Sequence, residues 1–60
     1  MTEVGIVIRD VKKIRYQLVS SANELEKLYE WDAATGCRYA AAQIDLAIRD
    51  LENQESIRYD

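Results

Sequence analysis

Sixty residues with a formal net charge of −3 make at most one domain, and one too short to bury a large core by itself. A single cysteine excludes an intrachain disulfide, and a chain without histidine has no ligand set for a tetrahedral zinc site. Association is what remains to stabilise such a chain, and its acidic balance argues against a general nucleic-acid binder.

The first predicted element is long. Val4, Val7, Val11, Ile14, Leu18, Ser21, Leu25 and Leu28 step by three and four in alternation, which is a heptad seam. Ile8, Ala22 and Tyr29 widen the stripe on one flank, and Arg9, Lys12, Lys13, Gln17, Asn23 and Lys27 fall largely on the other side. This spacing predicts one amphipathic helix over residues 3–31, about 43 Å long at 1.5 Å per residue. Thr2 suits its N-cap, and Glu3 suits the positive end of its dipole. The β-branched "VGIVI" also reads as a strand, but no second strand is there to pair with it, and the heptad runs straight through. Gly5 is expected to fray the first turn. Ser21-Ala22-Asn23-Glu24 matches a capping box, so continuity through Ser20 and Ser21 stays open.

A reversal is expected over residues 32–36, "DAATG". Asp32 or Thr35 would cap the second helix, and Gly36 would take the left-handed conformation that ends the first. The second helix is expected over about residues 37–55. Its seam, Ala34, Cys37, Ala41, Ile44, Ile48 and Leu51, again steps by three and four, with Ala33, Ala40 and Ala47 seven apart beside it. Asp45 and Arg49 form an i,i+4 pair, and Arg49 and Glu52 an i,i+3 pair. The closing "NQESIRYD" is a polar tail in which Ile57 and Tyr59 can dock. A short connection makes the helices antiparallel. Folding about residue 34 sets Ser21 near Ala47 and Leu28 near Ala40, and brings Lys12, Lys13 and Arg15 beside Glu52 and Glu55.

Two helices share one seam and leave much of each apolar stripe wet. The expected fold is therefore all-α: an antiparallel hairpin that forms a homodimer, as a four-helix bundle or an intertwined pair. The dimer and core seam is Val4, Val7, Ile8, Val11, Ile14, Leu18, Leu25, Leu28, Ile44, Ile48 and Leu51.

Little in the chain suggests chemistry. Glu26 and Glu30 have a spacing that can ligate a metal, but without histidine they read as a solvated face. Gly5 and Gly36 are isolated, so there is no phosphate loop. Cys37 has no histidine to activate it and sits on the seam as a small hydrophobe. The expectation is a non-enzyme with no cofactor and no metal. A lone thiol without a disulfide framework suits a reducing, cytoplasmic setting. No apolar run approaches the roughly 18 residues of a membrane span, and the early charges do not fit a signal peptide.

Two clusters are candidate contact sites. Tyr29, Trp31 and Tyr39 surround the turn, where they either cap the open end of the core or form a protein-binding hot spot. Arg9, Lys12, Lys13 and Tyr16 share a face, with Arg15 adjacent. They read as a face salt-bridged to the acidic second helix, or as an RNA- or DNA-binding surface with a stacking aromatic.

The stretches "MTEVGIVIRDVKKIR" and "ELEKLYEWD" resemble the small helical accessory proteins of lambdoid phages. That resemblance implies a role in modulating host or phage development through protein contacts. In architecture alone, a short acidic chain of two helices with small seam residues resembles the plasmid copy-control Rop protein, which implies RNA binding. The expected function is a small regulatory homodimer that binds another protein. The alternatives are a Rop-like nucleic-acid-binding hairpin dimer and a purely structural assembly subunit.

Overall fold

A computed structural model describes residues 2–58, with side chains through Glu55. It contains α1, Glu3–Lys27, and α2, Trp31–Arg58, packed as an antiparallel hairpin. The described residues include no strand. Neither helix is long and apolar enough to cross a membrane. The expectations for the Ile57 side chain and for Tyr59 fall outside the described residues.

The start of α1 forms as its sequence predicts. Thr2 is extended (φ −75°, ψ 163°), and its hydroxyl oxygen accepts from the Gly5 N–H at 2.9 Å. The same hydroxyl donates to Glu55 Oε1 at 2.6 Å, tying the start of α1 to the far part of α2. "VGIVI" is helical, and Gly5 lies inside the first turns. The helix then runs unbroken through Ser20 and Ser21. Ala22 is fully buried, so a cap there would break the packing.

The reversal falls at residues 28–30, earlier than the expected 32–36. Leu28 is the C-cap of α1, and Tyr29 takes the left-handed conformation at φ 61°. Tyr29 N–H donates to the Glu26 carbonyl at 3.0 Å, and Glu30 N–H donates to the Leu25 carbonyl at 2.9 Å. These two bonds form a Schellman motif, with tyrosine where glycine is usual. The Glu30 carbonyl then accepts from Ala34 N–H at 3.0 Å and opens α2. Asp32 therefore lies in the first turn of α2, at the favourable end of its dipole. Gly36 is an ordinary helical residue with no positive φ. A reversal at residues 32–36 would have removed Ala34 from the seam, where it is 1% exposed.

The core of the hairpin is small. Among the described residues Ala22, Ala34, Ala41 and Ile48 are buried, and no large side chain is fully buried. The α2 seam of Ala34, Cys37, Ala41, Ile44, Ile48 and Leu51 is buried or half-buried throughout. For α1 the contact line differs from the heptad. Val4, Ile8, Val11, Leu18, Ala22 and Leu25 face α2, whereas Val7, Ile14, Ser21 and Leu28 stay exposed. The reason is steric: the Ala22 side of the stripe permits closer approach than the side holding Ile14 and Leu28.

Ion pairs close one edge of this contact. Lys12 Nζ lies 3.4 Å from Glu52 Oε2, and Arg15 Nε donates to Asp45 Oδ1 at 2.6 Å. Arg38 donates to Glu26, and its Nη2 donates to Asn23 Oδ1 at 3.0 Å. Asp45 thus turns to Arg15 across the seam, in place of the pairing expected with Arg49. Such exposed pairs contribute only about 0–1 kcal/mol each, so they select a register more than they hold it.

Gly36 and Tyr29 give two tests of the reversal. A Cβ added at Gly36 meets nothing within 4 Å. Gly36→Ala is expected to raise unfolding stability by about 1 kcal/mol in urea melts, since alanine is the better helix former. A left-handed Gly36 would give the opposite sign. Tyr29→Gly is expected to stabilise by about 1 kcal/mol through relief of left-handed strain.

Candidate functional site

The reversal is also where the exposed aromatic side chains gather. The left-handed backbone at Tyr29 turns the chain so tightly that its side chain cannot fold back onto the core, and it is 77% exposed. Trp31 opens α2, 58% exposed, and its ring meets that of Tyr29 edge to face, with centroids 6.1 Å apart and planes at 69°. Leu28, beside them, is exposed too. The end of the hairpin therefore carries three large apolar groups in water, and they do not cap its core.

Tyr39 stands apart from this pair. It lies two turns along α2, on the outer face pointing away from α1, and is 69% exposed. Residues 31, 35, 39, 42 and 46 step by three and four, so Trp31, Tyr39 and Leu46 share that face. Leu46 is exposed and was not among the expected contact residues. Its signal was present in the spacing to Trp31 and Tyr39, masked by the stronger seam next to it. From Trp31 to Leu46 this outer stripe spans about 22 Å of helix.

The basic cluster forms a different surface. Arg9, Lys12, Lys13, Tyr16 and Gln17 line a shallow, open depression on α1. Lys12 is committed to Glu52, Arg15 to Asp45, and Arg9 lies 4.0 Å from Asp10. Tyr16 is largely exposed beside them. Of the cluster, Lys12 pairs with α2, as does neighbouring Arg15, whereas the carboxylate nearest Arg9 is on α1 itself.

Cys37 is free and half-buried in the seam. Glu26 is held by Arg38 and so does not pair with Glu30 about a cation. The described residues contain no group of three His, Cys, Asp or Glu able to hold a metal. No protein-family model, curated protein or solved structure matches this chain.

Trp31 reports directly on this surface. Its emission is expected at the red, water-exposed end of the tryptophan range, with efficient quenching by acrylamide. A blue, quencher-protected emission from the isolated protein would place the ring in a core and remove it from any contact surface.

Proposed function

We propose that this protein is a small, non-enzymatic regulatory protein that acts as a helical homodimer and binds another protein through its aromatic end. One observation carries the reading. Tyr29 and Trp31 present two aromatic rings in water beside each other at the reversal, where Tyr29 is left-handed. Tryptophan and tyrosine dominate binding hot spots, because they bury large area while losing few rotamers. Tyr39 and Leu46 extend the surface along α2. The resemblance to lambdoid phage accessory proteins fits this reading, since it implies modulation of host or phage development through protein contacts.

The test is capture from the native host with wild type and with the Trp31→Ala, Tyr39→Ala double variant. The expected result is a discrete partner retained by wild type and lost, by about 100-fold in affinity, with the double variant. Both residues are exposed, so helix content should be unchanged. A partner bound equally well by the variant would overturn the assignment.

A second reading rests on Tyr16 and the basic depression: a hairpin dimer that binds structured RNA or DNA. It expects a gel shift weakened by salt and abolished by Lys12→Glu with Lys13→Glu. Charge reversal without effect on nucleic-acid binding would end it.

A further inference from the structure

The two edges of the hairpin contact differ in a way that points outward. Positions seven apart on a helix form a nearly straight row, so the rows beside the contact can be read in order. On the edge closed by Lys12–Glu52, Arg15–Asp45 and Arg38–Glu26, the adjoining seam residues Ala22, Ala34, Ala41 and Ile48 are buried. On the opposite edge the adjoining seam residues Val11, Leu18, Leu25, Ile44 and Leu51 are only half-buried. Next to them lie exposed Val7 and Ile14 from α1, exposed Leu28 at its C-cap, and from α2 exposed Ala33 and Ala47 with half-buried Ala40. Across residues 4–28 of α1 and 33–51 of α2, the four rows of this face hold no charged side chain. This is a core with one layer missing.

We infer that a second copy of this chain covers that face, so that two hairpins stack on it about a two-fold axis into a four-helix bundle. This deepens the homodimer part of the reading above and rests on it. Three observations select a second copy. The accessible surface of the chain is 4733 Å², whereas a 6.9 kDa globular monomer exposes about 4,000 Å². The excess, about 700 Å², is close to the ~800 Å² per partner that a stable interface buries. The radius of gyration, 14.1 Å, exceeds the roughly 10.4 Å of a compact chain of this length, and the narrowest extent is 9 Å, one helix thick. The face is also self-complementary in shape, with a row of bulky residues on α1 beside a row of alanines on α2. The charged groups stand at its rim, where Arg9 lies 4.0 Å from Asp10 and Lys27 lies 3.2 Å from Glu24.

Sedimentation equilibrium of the intact protein tests this. The expected result is a dimer at low micromolar concentration. Ile14→Glu and Ala40→Glu each weaken it by at least ~100-fold, because each buries an unpaired charge, and Leu46→Glu on the outer face leaves it intact. Should the charged variants fail to fold, native Cys37 gives a second readout. It lies half-buried in the same set of rows, so its reaction with a thiol reagent must slow as protein concentration carries the chain into the dimer. A dimer in which Cys37 reactivity is unchanged, or which Leu46→Glu dissolves while Ile14→Glu does not, overturns the face and leaves the homodimer standing. A fully helical monomer at these concentrations overturns both the face and the homodimer, and leaves the surface to another protein.

Discussion

Two helices lie close only where the side chains between them are small, and in this chain that condition is met along one line. Ala22 on α1 and Ala34 and Ala41 on α2 are buried against the opposite helix, with Ile48 continuing the contact. That line sets the rotation of α1 about its own axis. It places Arg15 within reach of Asp45 and Lys12 within reach of Glu52. It also turns Val7, Ile14 and Leu28 away from α2. Most other features of the hairpin follow from the rotation it imposes.

The reversal is subordinate to the same contact. Ala34 belongs to the seam, so α2 must already be formed when the chain reaches it, and the turn must close before Trp31. Only residues 28–30 remain. None is glycine, and Tyr29 takes the left-handed position under the constraint of two Schellman bonds. Strain of roughly 1 kcal/mol at one residue is small beside the loss of a helix contact. The exposed aromatic pair at the tip is a product of that compromise, and it gives the hairpin its most distinctive surface.

The amphipathic character of both helices was legible, and for a plain reason: three-and-four spacing of apolar residues is a property of the helix itself. The α2 seam was legible residue by residue because Ile44, Ile48 and Leu51 share one line, while the apolar groups beside it are alanines or stand on the outer face. α1 carries two overlapping lines that share Val4, Val11, Leu18 and Leu25. One continues through Val7, Ile14, Ser21 and Leu28, the other through Ile8 and Ala22. The first is the stronger heptad, and the second faces α2. Hydrophobicity cannot separate them, because the difference lies in how closely the partner helix approaches. Gly36 misled in the same manner, since a glycine flanked by helix formers resembles a cap until the packing of Ala34 is known. The spacing of Leu46 to Trp31 and Tyr39 is the only sequence signal for that face, and the neighbouring seam outweighs it.

By itself the sequence determined helix type, the two-helix order, the N-cap at Thr2 and the α2 seam, all of which follow from local propensity and periodicity. The tertiary structure alone decided where the chain reverses, which of the two α1 stripes is buried, and which aromatic side chains stand in water. Those three depend on the distance between helix axes, a quantity set by Ala22, Ala34 and Ala41 acting together across the seam and carried by no single segment of the chain.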